Sequence, residues 1–295
     1  MTKIGLVRPD TQHGVAWTEL LQGSDPQFTH LSGARVTAFW SADATDEERA
    51  NAKQLRDRYG VELQVDTPQD LIGRVDGVFV LARDGNEHLA LARPFLERKV
   101  PTYIDKPLAS NLAEAKEIVA LAQANGTPLT CASGLRYVPE VAAFHQRAAE
   151  IGRVRSGMVT GPGELFYYGI HAAELLHALF GPGIAWVSNA GDDEKDLATV
   201  AYADGRTIIL QIIRFGGHGW EFCYYSDHAW QRVQVIISGW SFYRGVVEQA
   251  VQLVATGRAG PSHDEMIEVI AMLEAMQRSA ATGERIDLAR LIAET

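Results

Sequence analysis

Three short stretches of the chain carry side chains able to move protons. The first is Tyr103-Ile104-Asp105-Lys106-Pro107-Leu108-Ala109, with a lysine at the end of a predicted strand. An ammonium there can orient a substrate hydroxyl and, with a lowered pKa, exchange its proton. The plainer alternative is a surface lysine paired with Asp105 in an Asp-Lys-Pro turn. The second stretch is Tyr167-Tyr168-Gly169-Ile170-His171-Ala172-Ala173-Glu174-Leu175-Leu176-His177. A helix running throughout sets Tyr167 and His171 on one face, with Glu174 one turn further along. A histidine beside a phenol and a carboxylate suits proton transfer near neutrality; the alternative is a core helix whose histidines are simply hydrogen-bonded in place. A metal site on His171, Glu174 and His177 is disfavoured, because its two histidines diverge by about 120° around a helix, whereas zinc helices keep both rings on one face. No metal is expected. The third stretch, Gly134-Leu135-Arg136-Tyr137-Val138-Pro139, on its own says only that a loop holds an arginine and a tyrosine.

The elements that must position these residues alternate over the first 110 residues. KIGLV, ARVTAFW, VELQV, GVFVL and TYI read as strands. DEERANAKQLRDRYG, the helix-like TPQDLIGR and EHLALARPFLERK lie between them, the first stopping at Gly60, where positive φ is easily adopted. That alternation implies βαβ crossovers and a doubly wound parallel sheet, whose ligands bind beyond the C-terminal strand ends, where Lys106 falls. The helix NLAEAKEIVALAQANG closes this domain, and PLTCASG is one further strand. Beyond residue 150, VRSGMVT, LATVAYADGRTIILQIIRF, WEFCYYS and QRVQVIISGW alternate with period two and predict a mainly antiparallel sheet. Two closing helices follow, around YRGVVEQAVQLVATG and HDEMIEVIAMLEAMQRSA. The fold class expected is α/β, with a first domain over 1–125 and a second, α+β domain over 126–295. The first turn, Arg8-Pro9-Asp10-Thr11-Gln12-His13-Gly14, lies where such a fold places a glycine-rich phosphate loop, and the glycines are missing.

With 295 residues, 46% hydrophobic and 22% charged, the chain has room for two cores. A net charge of −10 argues against a nucleic-acid partner, and scattered Lys and Arg argue against a polybasic membrane anchor. No apolar run approaches bilayer length and no signal-peptide pattern precedes the first strand, so the cytoplasm is expected. Cys131 and Cys223 are the only cysteines, which excludes a disulfide framework and agrees with a reducing compartment.

Taken in order, YIDKPLA, GLRYVP and GIHAAELL resemble the IxEKPxA strand end, the (N)xRFxP loop and the GIHxxDLL helix of the glucose–fructose oxidoreductase / inositol dehydrogenase (Gfo/Idh/MocA) family. GNEH followed by LALARPFLERKVPTYIDKP, and the closing helix pair, are similar as well. The resemblance implies a Rossmann domain followed by an α+β domain with an open sheet, and NAD- or NADP-dependent hydride transfer on a small sugar or polyol. It carries over Lys106 and His171 as catalytic, with Tyr167 standing where the family often has Asp. It also implies cofactor contacts at Arg8, Asp10, Thr11, His13, Ser41, Gly85, His88, Asp105, Lys106 and Arg136. Substrate contacts are implied at Lys106, Tyr137, Tyr168 and His171. Asp105 replaces the usual Glu, and Glu174 the usual Asp. Arg8, Asp10 and His13 occupy the fingerprint glycine positions, where an acid repels a diphosphate, and Ser41 stands near the position of the ribose-binding acid. These departures keep two further readings open: a lyase, isomerase or hydrolase on the same scaffold, and a non-catalytic sugar-binding relative. The apolar strands TIILQIIRF and RVQVIISGW, short of helices to cover them, predict a homo-oligomer, a dimer or tetramer.

Overall fold

The computed structural model describes residues 1–26, 28–216, 219–237 and 241–295, and the backbone alone at Ser241. It divides into two compact units, Met1–Ala132 with Ser238–Met266, and Ser133–Ile237 with Ile267–Thr295.

In the first unit, β1 (Thr2–Val7), β2 (Ala34–Trp40), β3 (Leu63–Gln64), β4 (Gly77–Val80), β5 (Thr102–Ile104) and β6 (Leu129–Cys131) form one sheet. Their order is β3-β2-β1-β4-β5-β6 and every pairing is parallel. The crossovers carry α1 (Gln12–Gln22), α2 (Asp46–Asp57), α3 (His88–Glu97) and α4 (Leu112–Asn125). β4 and β5 are buried at every residue, as unbroken apolar runs require in a sheet covered on both faces. Side-chain caps start the helices: Thr45 accepts from the Glu48 N–H and Asn111 from the Glu114 N–H. VELQV forms only the two-residue edge strand β3, and TPQDLIGR folds as a 3-10 turn, Pro68–Leu71, with Asp70 closing a capping box onto Thr67.

The second unit opens with α5 (Pro139–Gln146) and α6 (Ala148–Ile151), then β7 (Val154–Pro162), α7 (Gly169–Phe180), β8 (Ile184–Asn189), β9 (Lys195–Tyr202), β10 (Thr207–Ile213), β11 (Glu221–Ser226) and β12 (Trp230–Gln234). The expected strand QRVQVIISGW ends at Gln234, and its last residues, from Ser238, lie outside the described ones. The chain then departs from the expected division: α8 (Ser241–Thr256) belongs to the first unit. Its buried Val246, Val247, Ala250 and Leu253 account for this, and Val254 leaves no room for a Cβ on Gly77 of β4. The boundary thus falls at Ala132 rather than 125. α9 (His263–Thr282), β13 (Ile286–Asp287) and α10 (Leu288–Glu294) end the chain.

The second sheet runs β12-β11-β7-β10-β9-β8-β13 and is antiparallel except where β10 pairs with β7. Val159, Leu210 and Phe222 point to the buried face, while their neighbours Met158, Ile209 and Cys223 are half-buried on the other. Among the described residues no helix is long and apolar enough to cross a membrane.

Candidate functional site

The first turn keeps the geometry of a glycine-rich loop without its glycines. Arg8 leaves β1 at φ 58°, a left-handed conformation that glycine adopts freely and that costs another residue about 1 kcal/mol. Gly14 is needed, because a Cβ there would lie 2.6 Å from the Pro9 Cβ. Asn51 of α2 fixes the turn by donating to the carbonyls of Pro9 (3.1 Å) and Thr11 (2.8 Å). A trans peptide points its N–H opposite to its C=O, so the Gln12 N–H faces away from α2. Thr11 caps α1 by accepting from the His13 N–H.

Asp10 lies in the middle of this turn, 9% exposed. Its Oδ1 accepts from the Arg83 N–H at 2.8 Å and its Oδ2 lies 3.3 Å from the Arg8 guanidinium. Burial pushes its carboxyl above the usual range despite those two donors. Arg8 also stands 3.6 Å from Glu48 and 3.5 Å from Glu87, and Arg83 pairs with Glu47 at 2.6 Å. The loop after β2 wraps the fully buried Glu48, which accepts from the Ala42 and Ala44 N–H groups. There Ser41 donates to Asp43 at 2.6 Å, so an acid does stand at this strand end, two residues past the serine.

At the end of β5, the buried Asp105 lies 2.6 Å from His13 Nδ1. Burial raises its carboxyl, but the charge and hydrogen bond of His13, with Lys106 adding, outweigh burial and hold it at about 2. His13 thus ties the start of α1 to the end of β5, its ring stacked on Trp17 and edge-on to Tyr243. Lys106 follows, half-buried and joined to Pro107 by a cis peptide. The loop that carries it is held by His88 and Gly85, both expected as cofactor contacts. His88 is completely buried, with Nδ1 2.8 Å from the Pro107 carbonyl and Nε2 2.9 Å from that of Ala82. Gly85 is buried because a Cβ would meet Ser110 Oγ at 2.7 Å and Pro107 at 3.1 Å. Both residues set where Lys106 sits.

In the second unit, α7 begins at Gly169, so Tyr167 lies in the preceding turn rather than on a shared helical face with His171. Gly169, the first residue of the helix, packs against Ile212, which leaves no room for a Cβ. The ring beside His171 is that of Tyr168, edge-on at 5.9 Å and stacked on Trp220, which itself meets His171 edge-on at 5.7 Å. His171 Nδ1 lies 2.6 Å from Ser133 Oγ, a partner 38 residues away that no local motif marks. The hydroxyl also accepts from the Leu135 N–H and can still donate or accept toward the ring. Whichever it does sets the other ring nitrogen as base or acid. Arg136, carried over as a cofactor contact, pairs with Glu174 at 2.9 Å, both nearly buried, and so supplies the cation that a buried carboxylate needs. Tyr137 is half-buried at the end of the same 3-10 turn, Gly134–Tyr137. His177 lies 3.1 Å from Glu268 of α9, which also accepts from the Gly183 and Ile184 N–H groups. Burial raises the Glu268 carboxyl, but His177 and the two amides bring it below the usual range.

A six-stranded parallel sheet with a helix-opening turn after β1 and a lysine after β5 defines a Rossmann domain, followed here by an α+β domain. Residues 14–133 match the Gfo/Idh/MocA model, described as an oxidoreductase family with an NAD-binding Rossmann fold. The match begins at Gly14, immediately after the altered turn. Among solved structures, myo-inositol dehydrogenase from Lactobacillus casei, in complex with NAD(H) and myo-inositol, superposes with a TM-score of 0.82 at 17% identity, over 97% of this chain and 96% of that one. An oxidoreductase from Agrobacterium radiobacter, in complex with NAD+, L-tartaric acid and magnesium, gives 0.81 at 16% identity over 98% and 99%. Scyllo-inositol dehydrogenase from Lactobacillus casei, with bound NAD(H) and scyllo-inositol, gives 0.80 at 14% identity over 98% and 99%. At these identities the likeness is one of fold, and it spans both units. No curated protein matches by sequence.

Proposed function

We propose that the chain is a nicotinamide-dinucleotide-dependent oxidoreductase acting on a hydroxyl or ketone of a sugar, cyclitol or related small acid. The observation that carries this reading is Lys106, held at the C-terminal end of β5 in a Rossmann domain of an NAD-binding oxidoreductase family. The residues fit a dinucleotide at both of its ends. Ser41 and Asp43 offer a hydroxyl and an acceptor for a ribose, and Lys106 stands at the strand end where the nicotinamide half of a Rossmann ligand lies. Between them α1 opens with helix-start N–H donors, in a turn that also holds Asp10.

A nicotinamide dinucleotide, when bound, would supply or accept the hydride. The chain's own residues manage the rest. Lys106 orients the reacting oxygen and favours negative charge developing on it. His171 takes or returns the hydroxyl proton, with its ring orientation set by Ser133. Tyr168 and Trp220 offer an aromatic wall beside His171 of the kind that stacks on sugar rings. Tyr167, 42% exposed in the turn before α7, is a further candidate for the proton relay. The test is to follow reduced nicotinamide absorbance with NAD+ or NADP+ and a panel of inositols, aldoses and hydroxy acids. Turnover with one of them, lost in Lys106→Ala, supports the reading; silence across the panel with a net non-redox product contradicts it.

The reading includes a second copy of the chain covering the face of the second sheet that bears Met158, Ile209 and Cys223, and a cytoplasmic location, in keeping with a chain of only two cysteines.

A further inference from the structure

We propose that Asp10 is a built-in anion that occupies the seat of the dinucleotide pyrophosphate, so that its carboxylate limits how tightly this chain binds the cofactor. The inference rests on the nicotinamide-dependent reading. In a Rossmann turn the pyrophosphate is held by backbone N–H groups at the start of the first helix, approached closely because the residues there lack side chains. Here the helix start is intact, with Thr11 capping α1, but the carboxylate two residues before Gln12 is already turned inward. It takes the Arg83 N–H at 2.8 Å, a donor at the end of the neighbouring strand, and it faces Arg8 Nε at 3.3 Å. A negative group at a helix N-terminus is favoured by the same dipole that would favour a phosphate.

The surrounding charges strengthen the effect. Arg8 and Arg83 are cations of this turn, and they meet four carboxylates: Asp10, Glu48, Glu87 and Glu47. On the other side His13 is bound to Asp105. A diphosphate entering the turn therefore meets cations that are already neutralised and an acid in its place. Displacing Asp10 frees the Arg83 N–H and one contact of Arg8 for the ligand; removing its charge should have the same consequence without displacement.

The experiment compares wild type with Asp10→Asn, which keeps the shape and the acceptor for Arg83, and with Asp10→Gly, which removes the side chain. Calorimetric titration with NADH, NADPH, ADP and adenosine reads the effect, with folding checked by circular dichroism and thermal melting. Both variants should bind the preferred dinucleotide and ADP at least tenfold more tightly, while adenosine, which has no phosphate, should bind as in wild type. Wild type that binds a dinucleotide no less tightly than either folded variant overturns the role of Asp10 and leaves the oxidoreductase reading standing. No dinucleotide binding by any of the three overturns both. Should the variants fail to fold, the wild-type crystal soaked with NADH decides: the Asp10 carboxylate should have left the Arg83 N–H, and its persistence there with the dinucleotide bound overturns the proposal.

Discussion

Ser133 and Asp105 both act through a histidine, and each can be tested alone. Ser133→Ala removes the hydroxyl that orients His171. On the proposed mechanism it lowers kcat by about tenfold and moves the pH profile, with KM little changed, as loss of one positioned proton-transfer contact does. A variant with unchanged kcat and pH profile would show that Ser133 only fills space. Asp105 bears on stability. Its carboxyl is held at about 2 against an ordinary value near 3.8, so its ion pair with His13 contributes stability that is fully present above pH 4. That contribution, about 2 kcal/mol from the size of the depression, is lost as the pH falls through 2. Thermal melts from pH 6 down to pH 2 should therefore converge for wild type and Asp105→Asn, with wild type the more stable at the upper end. Parallel curves would contradict the pairing. Lys106 and His171 were legible as chemistry-bearing residues because their motifs are local. The Asp10–Arg83 and Ser133–His171 contacts were not, because they join residues 73 and 38 apart that only the folded sheet and helix bring together.

α7 and α9 of the second unit are tied through Glu268, which joins His177 to the Gly183 and Ile184 amides that start β8. Glu268→Ala removes at once the acceptor that faces His177 Nε2 and two backbone donors, so it should cost about 3 kcal/mol and lower the melting temperature by several degrees. An unchanged melting temperature would show that water replaces the carboxylate. Strand and helix alternation in the first unit was readable from period and caps, since β4 is one apolar run and α2 and α4 carry side-chain caps. The return of α8 to the first unit was not readable, because an apolar stripe is the same whichever core it faces. β3 shrank to two residues because an edge strand pairs on one side only, here with Ala38 and Phe39 of β2.

For the whole molecule, the sequence pattern already implied a doubly wound domain followed by a mainly antiparallel one, and the order of its motifs implied the family. What it did not show were the contacts these residues make within the fold: His88 and Gly85 hold a loop, and Arg136 neutralises a buried carboxylate. The half-buried row of Met158, Ile209 and Cys223 on one sheet face predicts self-association. Light scattering at micromolar concentration should give a mass at least twice that of one chain, 32.3 kDa, and a monomer mass would contradict a second copy on that face. On the proposed function the altered turn still serves a nicotinamide enzyme. Titration of the wild-type protein with NADH and NADPH, followed by calorimetry, tests this most directly. At least one of them should bind saturably, one per chain, by millimolar concentration. Heat no greater than dilution for both at that concentration would contradict it.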